Sequence, residues 1–253
     1  MRGLGLGNEV FGAVVPDNVV MGFQLMFAII TPALISGAVA ERMKFSAWAV
    51  FIAVWSVVVY APMAHWVWGG GFIAEVIGGV DFAGGIVVHV SAGAAALAVI
   101  LALGPRIGWR EEPIRPHNLT LTLLGAGILW FGWFGFNSGS TLTSDALTGN
   151  AFLTTQISAA VAACVWLLAE AFTIGKPTTL GFASGAIAGL VAITPAAGFC
   201  GAAGRDCDWR GGGVDLLLGA EAEVSLRLRR FAGRDRGARG GFDHRTAAGG
   251  GAG

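Results

Sequence analysis

The chain has 253 residues, 55% of them hydrophobic and only 13% charged, and its formal net charge is zero. Ordinary soluble domains carry about 25% charged residues, so the composition points away from an ordinary soluble domain, and the neutral balance gives no electrostatic basis for a nucleic-acid partner. Met1 is not followed by the hydrophobic core and small-residue cleavage site of a signal peptide.

In chain order, six apolar runs stand out: Asn18–Ala40, Phe45–Trp68, Gly84–Gly104, Leu119–Phe136, Asn150–Ile174 and Leu180–Phe199. Each approaches the roughly 20 residues a helix needs to cross a bilayer. Their Gly and Ala content, as in Ser91–Ala96, suits close helix contact in lipid, where small residues let backbones approach. The expected fold is an all-α, polytopic membrane helix bundle in the cell membrane. Between the first two runs stand Arg42 and Lys44; between the third and fourth stand Arg106, Arg110 and Arg115; between the fifth and sixth stands Lys176. The intervening loops, Gly69–Ala83 and Asn137–Gly149, hold no Lys or Arg. Positive charge therefore falls on alternate sides, as the positive-inside rule requires, and this places Trp68–Asp81 and Asn137–Asp145 on the outer face.

The text changes at about residue 200. Nine of the sixteen Lys/Arg residues lie beyond Gly201, all of them Arg, scattered among Gly, Ala and Asp. Leu216–Ala220 is the one briefly apolar stretch there, too short to span. The division is therefore a membrane domain over residues 1–199 and a Gly/Arg/Ala-rich tail over 200–253, read either as disordered or as the frame-shifted translation of a GC-rich gene. Cys164, Cys200 and Cys207 show neither metal spacing nor an even-numbered disulfide framework. Cys164 is expected to serve span packing.

Two ionisable residues need explanation. His89 lies inside an apolar run, where such groups are costly and face a pathway or a partner; the simpler reading is a neutral imidazole hydrogen-bonded within the bundle. Asp81 opens the same run and suits the N-terminus of a helix. Eight residues of helix separate the two by about 12 Å along the axis, so they form no direct pair. Aromatic residues gather at Phe23 and Phe27, at Trp66 and Trp68, and over Trp130–Phe136. Aromatics at span ends are commonly interface anchors; the functional alternative is a cation–π cage for a small cation. His65 and His117, near span ends, read as structural or solvated. Gly175-Lys176-Pro177-Thr178 lacks the earlier glycine of a phosphate loop, where Glu170 stands instead. No catalytic constellation, metal-ligand set or cofactor motif appears, so no cofactor and no enzymatic activity are expected.

Five ordered strings carry a family resemblance: Ala40-Glu41-Arg42 with Phe45-Ser46-Ala47; Ala64-His65-Trp66-Val67-Trp68-Gly69-Gly70-Gly71; Asp81-Phe82-Ala83-Gly84-Gly85-Ile86-Val87-Val88-His89; Trp133-Phe134-Gly135-Phe136-Asn137-Ser138-Gly139-Ser140; and Ser184-Gly185-Ala186-Ile187-Ala188-Gly189-Leu190-Val191 with Thr194-Pro195. Together, over about residues 8 to 199, they resemble the ammonium transporter (Amt/Mep/Rh) family, and Trp68 with Ser140 leans toward its Amt/Mep branch. The resemblance implies that Trp68, Phe27 and Ser140 form an external ammonium site, that Phe27 and Phe136 gate the pore, and that His89 is the first of two pore histidines carrying the proton pathway. It implies that Asp81 is the acid near the recruitment site. It further implies ammonium or methylammonium as substrate, the lipid bilayer as surroundings, a homotrimer and a PII-type regulator. A bare ammonium ion enters a dry apolar pore only at great cost; deprotonation at the gate would let ammonia cross, and potassium, with no proton to give up, would be excluded.

The family has eleven spans and this sequence displays six. The resemblance implies two spans ahead of Asn8 and three after Phe199, one of them with the second histidine; His244 stands in no apolar run. A non-functional truncated or frame-shifted fragment and an ammonium sensor are the alternative expectations.

Overall fold

The computed structural model describes residues 15–106, 108 and 116–201. Among these residues the secondary structure is entirely helical, and six helical stretches are long and apolar enough to cross a membrane. The chain is a multi-pass membrane protein of the expected all-α class. The tail from residue 202 and the loop residues Arg110 and Arg115 lie outside the described residues.

The first span is α1 (Asp17–Val39). The second runs from α2 (Phe45–Trp55) through a π turn at Ser56–Tyr60 into α3 (Ala61–Trp68). Pro62 explains the interruption: it has no N–H to give to the preceding turn and its ring crowds that turn's carbonyl, so the ladder widens just before it. After Trp68 the chain turns through Gly69–Gly71, with Gly70 at φ +73°, and forms another π turn, Ile73–Ile77, inside what the sequence predicts as a loop. The third span opens with a π turn at Gly85–Val90 and continues as α4 (Ser91–Leu103).

The fourth span is α5 (Leu119–Ser138), which tightens into a 3₁₀ turn at Gly139–Thr141. The fifth is α6 (Ala146–Ile174), and the sixth is α7 (Thr179–Ile193) followed by a 3₁₀ turn at Thr194–Ala196. Much of the expected loop 137–149 is therefore helical. The reason is a capping box: the Asp145 carboxylate accepts from the backbone N–H of Leu147 (2.9 Å) and Thr148 (3.1 Å), while the Asp145 N–H reaches the Thr148 hydroxyl at 3.3 Å. The Thr148 amide is the main cause holding the Asp145 carboxyl below its ordinary value.

Two contacts fix which loops share an end. Arg42 donates from Nη1 to the Gly104 carbonyl at 2.8 Å, and Arg106 pairs with Glu41 at 2.8 Å. The arginine-bearing loops after α1 and α4 thus meet at one end of the bundle, as the alternating charge pattern expects, and Trp68 and Asp81 lie toward the other. One cysteine expectation is corrected: Cys164 is exposed rather than packed within the bundle, because it lies on the outward face of α6. His65 and His117 are both exposed, consistent with solvated span ends.

Candidate functional site: an aromatic stack between four spans

Phe27 is at the centre. It is 2% exposed, in the middle of α1, and the Thr31 hydroxyl bonds back to its carbonyl at 2.6 Å beside Pro32. Three rings surround it: Phe23 edge-on at 4.9 Å, Trp68 edge-on at 5.6 Å (88°), and Phe136 tilted at 4.5 Å. Edge-to-face and offset packing are the arrangements that ring quadrupoles favour. The stack continues inward, with His89 lying parallel to Phe136 at 6.0 Å and to Trp133 at 5.5 Å, each at 18°.

Trp68 is held from below. Its indole N–H donates to the Asp81 carbonyl at 2.8 Å. The Asp81 carboxylate accepts from four consecutive backbone amides: Gly84 (2.8 Å) and Gly85 (2.6 Å) on Oδ1, Ile86 (2.7 Å) and Val87 (3.0 Å) on Oδ2. A helix start leaves four N–H groups without partners, and here one side chain takes all four. Burial pushes the Asp81 carboxyl above its ordinary value, while these amides act in the opposite direction. Its side chain is therefore engaged at the start of the third span. Gly84 makes the arrangement feasible: it sits at φ +114°, where a side chain is strained, and a Cβ there would lie 2.7 Å from Val88.

Ser140 stands one turn beyond Phe136, and its hydroxyl donates to the Phe136 carbonyl at 2.7 Å. With its proton so engaged, the hydroxyl oxygen offers lone pairs, which suits a cationic N–H donor. His89 lies in the Gly85–Val90 π turn, where its backbone N–H donates to the Gly84 carbonyl at 3.0 Å; its side-chain Nε2 is buried and has no hydrogen-bond partner. Asp81 and His89 make no direct pair. They are joined through Trp68, Phe27 and Phe136, so all six residues singled out in the sequence belong to one connected assembly drawn from four spans.

Other residues behave differently. Trp66 is 38% exposed and packs on Phe72, as a surface anchor does. Trp133 and Thr194, absent from the sequence-derived site, are integral to it: Trp133 is 2% exposed, and its Nε1 donates to the Thr194 hydroxyl at 2.9 Å. Both occur in the quoted strings, but nothing in one sequence indicates that residues 61 positions apart meet. Chemically the assembly is a cluster of packed rings with one imidazole and few polar groups, and among the described residues no group of His, Cys, Asp or Glu could hold a metal ion.

The chain matches the Ammonium Transporter Family over residues 4–204. It is 54% identical over 183 residues to the ammonium transporter Amt1 of Archaeoglobus fulgidus, covering 72% of this chain and 46% of that one. Its structure is similar to the crystal structure of Saccharomyces cerevisiae Mep2, with a TM-score of 0.72 and 37% identity, over 85% of this chain and 49% of that chain. It is also similar to a sensor Amt protein, with a TM-score of 0.69 and 30% identity, over 80% of this chain and 51% of that one. The chain spans about half the length of these relatives.

Proposed function

Because the chain belongs to the ammonium transporter family, we propose that it takes part in ammonium transport across the membrane, recruiting the ion at Trp68, Phe27 and Ser140. The observation that carries this reading is the unbroken series of rings from Trp68 through Phe27 and Phe136 to His89. Aromatic faces attract a small cation by their quadrupoles, more strongly where water is excluded, and the Ser140 oxygen adds one acceptor. Past the Phe27–Phe136 pair the surroundings are apolar, and a naked charge there is costly. The proton is therefore given up at this point and ammonia continues past His89, whose unpartnered Nε2 is the polar atom available to receive it. Potassium meets the same rings but has no proton to lose.

In this reading Asp81 acts through structure, holding the start of the third span and, through its carbonyl, the Trp68 indole. The active form is a homotrimer in the bilayer, and a PII-type regulator would meet the arginine-bearing end. A second reading, an ammonium sensor that binds at the outer site without conducting, draws support from the likeness to a sensor Amt protein. Uptake of radiolabelled methylammonium in cells lacking their own transporters tests the proposal. The expected result is uptake that falls at least tenfold in His89→Ala and changes its concentration dependence in Trp68→Leu. Membrane-inserted protein with no uptake, but with methylammonium binding lost in Trp68→Leu, would favour the sensor. Uptake indifferent to both substitutions would overturn the site.

A further inference from the structure

Aromatic side chains are not held by rotamer wells alone. The torsion that turns the ring is broad, so a buried ring keeps its plane only where neighbours or a hydrogen bond impose it. Trp133 supplies one face of the His89 environment, with the two rings 18° from parallel. Its own plane is pinned at the far edge by the bond from Nε1 to the Thr194 hydroxyl, and Thr194 is fully buried and donates onward to the Leu190 carbonyl at 2.7 Å. A buried indole N–H needs such a partner.

The adjacent residue reaches the same segment from its backbone side. Pro195 packs so closely on Gly85 that a Cβ there would come within 2.7 Å of its Cγ, and the Pro195 carbonyl accepts from the Phe82 N–H at 3.1 Å. Gly85 begins the π turn that contains His89. The dipeptide at the end of α7 thus bears on His89 twice: through the backbone that carries it, by Pro195, and through the ring that faces it, by Thr194 and Trp133.

We propose that Thr194 is a positioning residue for His89: its hydroxyl fixes the Trp133 plane, and that plane fixes the imidazole. The importance attached to His89 rests on the transport reading above, but the positioning claim is about geometry and is tested without transport. The 3₁₀ turn that follows α7 would then decide which way a pore-facing histidine presents its ring.

The experiment is NMR of the full chain in lipid nanodiscs, with labelled histidine and tryptophan; the signals that vanish in His89→Ala and Trp133→Phe assign the two residues. In the unaltered protein the His89 ring protons are shifted upfield by the stacked indole, and the Trp133 indole N–H shows the downfield position of a hydrogen-bonded proton. Thr194→Val, nearly the same shape without the hydroxyl, should move the indole N–H upfield and abolish the His89 ring-current shift, and Thr194→Ser should restore both. An indole N–H that moves while His89 does not would overturn the proposal, as would an indole N–H that Thr194→Val leaves in place. Should Thr194→Val yield no folded spectrum, Trp133→Phe decides: it keeps a ring but has no N–H. Loss of ring-to-ring NOEs to His89 is then expected, and their persistence overturns the idea. Because uptake is not the readout, a chain that folds but fails to transport leaves this test intact.

Discussion

Two regions of the molecule solve the same problem, holding helices together in an apolar surrounding, by opposite means. The α6–α7 pair does it with small residues. Gly181, Gly185 and Gly189 recur at four-residue spacing on α7 and bring its backbone against α6: a Cβ on Gly185 would lie 2.6 Å from the Trp166 Cβ, and one on Gly189 would overlap the Ser158 carbonyl. The ridge is finished with polar stitches. Ser158 donates to the Gly189 carbonyl at 2.7 Å, and at the far end Glu170 accepts from the Thr178 N–H at 2.7 Å and from its hydroxyl at 3.0 Å, fastening the start of α7. The aromatic region packs large rings from α1, α3, α5 and the third span, with Asp81 supporting Trp68 and Thr194 supporting Trp133. Close backbone contact gives a rigid pair with no room inside. Ring packing works instead through edge-to-face and tilted contacts between large side chains. The first arrangement suits a brace, the second is the candidate site proposed above, and Trp133–Thr194 is where they meet.

Substitutions can separate the two designs. The largest effect is expected at Asp81→Ala, which strands the amides of Gly84, Gly85, Ile86 and Val87. Orphaned buried donors cost about 1–3 kcal/mol each, with water recovering part, so a loss of about 3 kcal/mol or more is anticipated. It should be read as a lowered thermal unfolding midpoint in detergent, together with altered Trp fluorescence as Trp68 loses its support. A stable variant with unchanged fluorescence would mean that the aromatic region needs no polar foundation. Gly189→Ala comes next. Overpacking costs about 1–3 kcal/mol, and here the added methyl also pushes on the Ser158 bond. Gly93→Ala on α4, where a Cβ meets nothing within 4 Å, should leave the midpoint level or raise it. Equal effects at the two glycines would dissolve the distinction between brace and remainder.

The smallest effect lies outside both regions, at Asp145. Its folded-state pKa is depressed, so its support for the start of α6 is fully present above the ordinary aspartate value of about 3.9. That support is lost as pH falls through the lower, folded-state pKa. Hydrogen-exchange protection of the Leu147 and Thr148 amides should fall over that acid window while amides deep in α6 keep theirs. Asp145→Ala should show the weakened protection already at neutral pH.

Much of this was legible in the sequence because it depends on local properties. A membrane helix satisfies its backbone within itself, so a long enough apolar run declares a span regardless of its neighbours, and five of the six runs begin within about one residue of the observed helices. The exception, α6, starts four residues early. Asp145 and Thr148 form a capping box without the usual Glu or Gln at its fourth position, so the signal was present in an uncommon form. Loop arginines marked one shared end because charge avoids crossing lipid, and the Glu41–Arg106 pair agrees. The six candidate residues were found through resemblance; that they touch was not in the text.

What tertiary structure alone decided is how those residues are placed and what each one touches. The sequence established spans, their alternating sense and a stock of aromatic residues with one histidine among them, since these follow from composition along a single line. It could not establish that the Asp81 carboxylate faces four amides rather than an open mouth, because that depends on Gly84 turning the chain back at positive φ. Nor could it place Trp133 between Thr194 and His89. That contact depends on how far α7 slides along α6, and three glycines permit the close approach but name no partner for the residues beyond them.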